Sequence, residues 1–429
     1  MNIQEIHLFF QNRQVDLGMD FGLDRMEQLL NLAGNPQEGL RYVHIAGTNG
    51  KGSTLNYMKE MVLAEGLSAG TFTSPYLHSI NEQISLNGKM INDNDLSSVF
   101  MELYPYIEKM DKEDRKPTVF EIFTAMAFIF FNRKKPDIVL LEAGLGGRLD
   151  STNVIVPLLS IITNISLEHT AILGETIAEI AAEKAGIIKE KVPIITGAGD
   201  AEAIAVIKER AKALHSPVMI LDENIKITEI NTGEGLQSFS LNVEGSDYPG
   251  LQISMLGRHQ IRNAAISLAA IDYLNRTGLI SVSQSSIQMG LKKAVYNGRF
   301  EIVSQQPMIV LDGAHNPAGI EVLADTLKKY FPGRKYYIVF AALADKDYLK
   351  MSNALGQIAE RIWFTQLKHA RALKAELLFQ ESNLKNKRLQ KNWKEAVDEA
   401  LSLMEKDDLL VVTGSLYFLA EVRPELVIL

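Results

Sequence analysis

The residues that promise chemistry begin in the segment YVHIAGTNGKGST at 42–54. Gly47, Gly50 and Gly52 let backbone N–H groups come close to phosphate oxygens. Lys51 adds a point charge for the β- and γ-phosphates, and Ser53 or Thr54 a hydroxyl for phosphate or Mg²⁺. A strand before this loop and a helix after it would aim the positive helix end at the anion. The spacing departs from G-x-x-x-x-G-K-[ST]. Ile45 stands where that pattern has its first glycine, and Gly52 follows the lysine directly. Strand, glycines, lysine and hydroxyls in this order still favour phosphate binding over a turn without a ligand.

Three more segments carry polar residues just past apolar runs: FTSPYLHSINE, LLEAGLGGRLDSTN and TNISLEHTAILGETIAEIAAEKAGIIK. In an open parallel sheet the carboxyl ends of neighbouring strands share one crevice, so Ser74, Glu142 and His169 are expected to meet there. Hydroxyl, carboxylate and imidazole, completed by phosphate and water, suit Mg²⁺ or Mn²⁺. Taken singly, Glu142 reads equally well as a structural carboxylate, and His169 as an ordinary histidine; their context favours the metal. Lys184 alone reads as a solvated helix lysine, and His44 as structural within a strand. Five basic residues in 385–394 read as a solvated face rather than a landing place for a polyanion.

These residues need a scaffold, and the patterning supplies one. Strands are expected at 42–46, 69–73, 137–141, 158–163 and 193–196, with helices at 54–65, 118–132, 177–188 and 201–214. That βαβ rhythm predicts a mostly parallel sheet with helices on both faces. From 224 to 256 the pattern alternates like antiparallel strands between Gly and Asn turn signals. A helix over 260–275 follows, and a second βα series starts near 301. An Asn-Gly pair in 296–299 marks the boundary. The expected fold class is α/β. It has an N-terminal mononucleotide-binding (P-loop) domain over 1–296 and a smaller Rossmann-like domain over 297–429. Shape alone gives the second domain no dinucleotide function.

Composition narrows the classes. The 429 residues include no cysteine, which excludes disulfides, thiolate metal sites and a cysteine nucleophile. The net charge of −8 argues against a nucleic-acid partner while leaving room for local anion pockets. No basic stretch followed by a long apolar run opens the chain, so no signal peptide is expected. The longest apolar stretch, 120–131, is too short to span a bilayer and reads as a buried helix. A cytoplasmic monomer is the expected state.

The segments HIAGTNGKGS, TSPYLHSINEQI, TVFE, EAGLGGRLDSTN, ISLEHTAILGETIAEIAAEKAGIIK, GRHQIRNAA, NGRFE and LDGAHNP, in this order, resemble folylpolyglutamate synthase, including its bifunctional dihydrofolate synthase form. The resemblance runs from about Gln11 to about Leu416, within the wider Mur ligase superfamily. It implies two α/β domains with ATP between them. ATP would phosphorylate the γ-carboxylate of a folate's glutamate tail, and the amine of free L-glutamate would attack the acyl phosphate. Whether dihydropteroate is also a substrate stays open.

The resemblance implies that Asn49, Gly50, Lys51, Gly52 and Ser53 hold the phosphates, with Asn263, Arg299 and Asp312 also serving ATP. It implies Mg²⁺ on Ser74, Glu142 and His169, and admits a monovalent cation. Lys184, as a carbamate, and His315 would serve catalysis. Met19, Asp20, Phe21 and Gly22, Thr118, Val119, Phe120 and Glu121, and Leu149, Asp150 and Ser151 would line the site for reduced folates. Two other readings remain: a Mur-type ligase of another carboxylate acceptor, and a nucleotide-switched binding protein. The second lacks a guanine-reading motif.

Overall fold

The computed structural model describes residues 3–17, 21–233 and 236–427. Two compact units form. One comprises Met1–Ile230, Phe239–Gln252 and Arg262–Ala294; the other comprises Asn231–Ser238, Ile253–Ile261 and Val295–Leu429. The chain therefore enters the second unit twice before its final passage at Val295.

The first unit is built on eight strands: β1 Tyr42–Ala46, β2 Ala69–Phe72, β3 Ile84–Leu86, β4 Lys89–Met90, β5 Ile138–Glu142, β6 Leu159–Ile162, β7 Ile194–Thr196 and β8 Val218–Ile220. Their order is β4-β3-β2-β5-β1-β6-β7-β8, parallel except where β3 pairs with β2 and β4. Every residue of β1 and β5 is buried, as expected of central strands covered on both faces. Tyr42 and Ala46 share one face of β1 by strand alternation. Tyr42 joins a cluster built on Phe10, Phe100, Phe123 and Phe128, and Ala46 one built on Ile180, Ile187 and Ile207. Val43 and Ile45 point the other way and are equally buried. The helix Lys51–Ala64 packs along β1, β2 and β5. The apolar stretch 120–131 is indeed a buried helix, Val119–Lys134. Among the described residues no helix is long and apolar enough to cross a membrane.

Three antiparallel strands follow, β9 Ile225–Gly233, β10 Leu236–Val243 and β11 Ser246–Ile253, in the order β11-β10-β9. The second large sheet holds β12 Glu301–Gln305, β13 Met308–Asp312, β14 Tyr336–Phe340, β15 Ala359–Phe364, β16 Lys387–Leu389 and β17 Leu409–Thr413. Its order is β12-β13-β17-β14-β15-β16, and only β12 runs antiparallel to its neighbour. Val310, Ile338 and Val411 serve one apolar layer; Leu311, Val339 and Val412 serve the other. The α/β class and the larger-plus-smaller arrangement expected from the patterning are both present.

Candidate active site

The order β2-β5-β1-β6 places the segments after four neighbouring parallel strands at one sheet edge, and these are the segments singled out above. The phosphate loop leaves β1 and enters the helix Lys51–Ala64 through Gly50, whose φ is +85°. A Cβ at Gly50 would lie 2.5 Å from Asn263 Oδ1, so conformation and space both demand glycine. Asn263 thus stands against the loop. Lys51 Nζ donates to Gly47 O at 3.1 Å and Thr48 O at 3.4 Å, and lies 3.9 Å from Glu142 Oε1. Ser53 and Thr54 are both buried in the first helical turn.

The segment Thr163–Ser166, directly after β6, braces the loop, and the sequence reading missed this. Asn164 Oδ1 accepts from Asn49 N at 2.7 Å, and Thr163 Oγ1 donates to Asn49 O at 2.6 Å. Thr48 and Ser166 bond reciprocally: Thr48 Oγ1 donates to Ser166 O at 3.2 Å and accepts from Ser166 N at 3.1 Å. The signal was available, because polar Thr-Asn directly follows a central strand. The Asn49 N–H is taken by Asn164.

Glu142 ends β5 and is 4% exposed; its neighbour across β1 in register is Ile45. His169 has φ +51° before the short helix Thr170–Leu173, and its Nε2 lies 3.9 Å from Glu168 Oε1. Ser74 is half-buried after β2 and precedes Pro75 across a cis peptide bond. Among the described residues no cluster of three His, Cys, Asp or Glu is grouped to hold a metal. A set of one hydroxyl, one carboxylate and one imidazole fits a hard divalent cation only with phosphate and water completing the shell. The buried Glu142 carboxylate, 3.9 Å from the Lys51 ammonium, suits such a partner.

Lys184 is 3% exposed on the helix Ile177–Ala185. Burial, with help from the Lys51 charge, pushes its ammonium down to about 7; Glu168 and Asp150 oppose the shift. It is therefore no solvated helix lysine. The loop after β5 is sewn to the end of its helix. Arg148 N donates to Glu183 O at 2.8 Å, and Arg148 NH2 to Glu183 Oε1 at 2.7 Å. Asn153 Nδ2 donates to Arg148 O at 3.0 Å and Gly186 O at 3.1 Å. A Cβ at Gly186 would lie 2.4 Å from Arg148 Cβ and 2.5 Å from its Cα. Gly186→Ala should accordingly destabilise the unit by about 1–3 kcal/mol, read as a lower denaturation midpoint at unchanged m-value.

The folate-lining set divides. Met19 and Asp20 lie outside the described residues. Phe21 is exposed and, with Gly22, Arg25, Asp114 and Arg115, lines a pocket of about 230 Å³. A neighbouring open hollow of about 550 Å³ shares Asp24 and Arg115; neither includes the phosphate loop, so volume does not locate the chemistry. Thr118 and Glu121 form a capping box, with Glu121 Oε2 accepting from Thr118 N at 2.6 Å. Glu121 also pairs with Arg25 at 3.2 Å. Half-buried Val119 and Phe120 open that helix, and the Phe120 ring lies 5.7 Å from Phe72. A Cβ at Gly144 would come within 2.6 Å of Phe120, so this ring borders the loop after β5. Leu149 is half-buried and Ser151 buried.

Asp150 is a buried hub. Its carboxylate accepts from Leu145 N at 2.9 Å, Thr152 N at 3.0 Å and Thr152 Oγ1 at 2.5 Å. Burial raises its carboxyl above the ordinary range against these bonds. Because Thr152 gives its proton to Asp150, His44 Nε2 must be the donor in its 2.8 Å bond to Thr152 Oγ1. Burial and the Lys189 charge push His44 down to about 3, so it stays neutral and structural, as the sequence suggested.

In the second unit, Arg299 NH1 lies 3.5 Å from Gly313 O. Asp312 accepts from Phe300 N at 2.8 Å and Ala314 N at 2.9 Å. Burial raises its carboxyl, opposed first by Arg299. His315 Nδ1 lies 2.8 Å from Gly313 O; a carbonyl only accepts, so Nδ1 carries the proton. The basic run is largely committed locally. Lys387 Nζ donates to Phe379 O and Ser382 O, Lys391 pairs with Glu376, and Lys394 pairs with Glu425.

Residues 45–271 match the Mur ligase middle domain, and residues 298–416 the Mur ligase glutamate ligase domain. The dihydrofolate synthase/folylpolyglutamate synthase of Bacillus subtilis is 40% identical over 419 residues, 96% of each chain. The chain belongs to the folylpolyglutamate synthase/dihydrofolate synthase family. Folylpolyglutamate synthase of Lacticaseibacillus casei is 32% identical over 404 residues, 94% of each chain. The Mycobacterium tuberculosis folylpolyglutamate synthase complexed with ADP and AMPPCP superimposes with a TM-score of 0.92 at 29% identity, over 99% of this chain and 98% of that one. A folylpolyglutamate synthase–AMPPCP–folate complex does so at 0.87 and 31%, over 99% of each. This membership accounts for the order of the motifs along the chain.

Proposed function

We propose that this chain joins L-glutamate to the γ-carboxylate of tetrahydrofolate at the expense of ATP, and makes dihydrofolate from dihydropteroate by the same chemistry. The observation that carries the reading is Lys51 on the glycine loop, 3.9 Å from the buried carboxylate of Glu142. A similar chain named for both activities supports the pair of substrates.

The acceptor carboxylate attacks the γ-phosphorus, ADP leaves, and an acyl phosphate forms. The glutamate amine then attacks the acyl carbon, and phosphate leaves as the amide closes. Gly50, Lys51, Gly52 and Ser53 grip the phosphates, with Asn49 shaping the loop and Asn263 backing it. Arg299 and Asp312 serve the nucleotide from 297–429. Ser74, Glu142 and His169 would hold Mg²⁺, which when bound neutralises phosphate charge. Lys184 as a carbamate and His315, through its Nε2, serve the acyl-transfer half. Phe120, with the 149–151 segment and Phe21 and Gly22, would serve the pterin side.

The test is ADP formation with Mg·ATP and glutamate, comparing dihydropteroate, tetrahydrofolate and methylenetetrahydrofolate. A UDP-muramyl acceptor is the control. Turnover only with the muramyl acceptor would move the chain to another branch of Mur ligases. A K⁺ titration in the same assay reads any monovalent-cation requirement. Glu142→Ala and His169→Ala should each raise the Mg²⁺ concentration needed for half-activity by roughly tenfold or more. An unchanged Mg²⁺ titration would remove that residue from the metal set.

A further inference from the structure

Two residues of left-handed backbone bracket Arg299: Gly298 at φ +72° and Phe300 at φ +45°. Glycine takes this conformation freely, whereas a bulky aromatic residue is an outlier there and persists only if its surroundings over-determine it. Two carboxylates do so. Glu301 Oε2 accepts from Gly298 N at 2.8 Å, and Asp312 Oδ2 accepts from Phe300 N at 2.8 Å. Gly313 N closes the turn on Gly298 O at 2.8 Å, and the Phe300 ring stacks on Phe331 at 6.0 Å and 15°.

Glu301 is itself held from a distant part of the chain. Arg423, on the helix Leu416–Leu426, donates Nε to Oε1 at 3.1 Å and to Oε2 at 3.0 Å, and NH2 to Oε1 at 2.8 Å. The side chains are only 14% and 20% exposed, for Glu301 and Arg423 respectively. A planar guanidinium gripping both oxygens removes the rotamer freedom that a glutamate would otherwise keep. Glu301 is then obliged to keep its bond to Gly298 N.

We propose that Glu301 and Arg423 are positioning residues for Arg299. Together with Asp312 they hold the doubly left-handed turn that aims its guanidinium. The C-terminal helix thereby becomes part of the machinery for ATP, although nothing in its sequence marks it so. This rests on the reading of Arg299 as a nucleotide contact. Freed from Arg423, the Glu301 carboxylate turns to solvent, Gly298 N loses its acceptor, and the turn relaxes from its strained form.

The experiment is steady-state kinetics with melting temperature on Arg299→Ala, Arg423→Met, Arg423→Lys and the double variant Arg299→Ala/Arg423→Met. Arg423→Met should raise KM for ATP about tenfold, with KM for glutamate unchanged, because a misaimed group loses most of its contact. Arg423→Lys should recover part of that loss, since one ammonium cannot span both oxygens, and it keeps the test open if the methionine variant folds poorly. The double variant should be no worse than Arg299→Ala alone, since both remove one contact. A lower melting temperature with wild-type KM for ATP in the Arg423 variants, or losses that simply add, would overturn the proposal. Wild-type kinetics in Arg299→Ala would instead sink the nucleotide reading of Arg299.

Discussion

Lys51→Ala is expected to lower kcat/KM for ATP by about 10²–10³-fold while leaving the melting curve close to wild type. The magnitude is that of removing one strong, preorganised donor from a developing phosphate charge. Lys51 is held over its own loop by Gly47 O and Thr48 O, and faces Glu142 at 3.9 Å. In its absence Glu142 loses a competing cation, so Mg²⁺ should bind that carboxylate at least as tightly as in the wild type. Lys51→Arg keeps the charge without the fit, because a compact ammonium and a planar fork differ in shape. Its activity should fall between the two. ADP release and a Mg²⁺ titration on folded protein read all of these. Wild-type turnover in Lys51→Ala would remove the loop from the mechanism.

The second large effect is expected at Lys184. Lys184→Ala should lose about 10²-fold or more in kcat with ATP affinity little changed, and acetate or formate should restore part of it. As a carbamate the residue supplies an anion where the protonated amine supplies a cation. The amine nitrogen attacks CO₂, a C–N bond forms, and one proton leaves to solvent. Only the neutral amine reacts, and burial brings the ammonium down to about 7. Enzyme depleted of CO₂ and then given bicarbonate should therefore regain activity along a curve with an apparent pKa of about 7. Recovery at pH 6 would be about tenfold slower than on the plateau, once corrected for free CO₂. Lys51 contributes to that low value, so Lys51→Ala should move the curve to higher pH.

The stability sign follows the same group. The unfolded lysine keeps its proton to about 10.4, so between about 7 and 10 the folded, unmodified chain binds fewer protons. Its stability from this residue should rise with pH across that window. A ¹³C carbamate signal absent from fully active enzyme in labelled bicarbonate would end the proposal.

Much of the scaffold was legible because it rests on local chemistry. β1 has the bounds that the sequence pattern suggests, Tyr42–Ala46. The helix after the phosphate loop begins three residues earlier than its apolar pattern, at Lys51, because glycine and serine in its first turn hide the period. The 20-residue helix Asp93–Lys112 and the C-terminal helix Leu416–Leu426 were not read, and each has a proline inside that breaks the pattern a sequence reader follows. The capping box of Thr118 and Glu121 follows the T-x-x-E signature and was available.

What the sequence alone determined was the set of chemical groups and the sheet that could gather them. Glycine spacing, a lysine before a helix and polar residues at strand ends depend on residue type and short-range geometry. What only the tertiary structure decided was the state of each group. Lys184 lies on an amphipathic helix where lysine is ordinary, and its low pKa exists because packing buries it beside Lys51. Asp150 looks like a ligand in a motif, yet its oxygens face backbone N–H groups of its own loop. Glu301 and Arg423 are 122 residues apart, and no local pattern links them. Desolvation, charge proximity and long-range pairing are sums over neighbours that the chain acquires only on folding, so no window of sequence contains them.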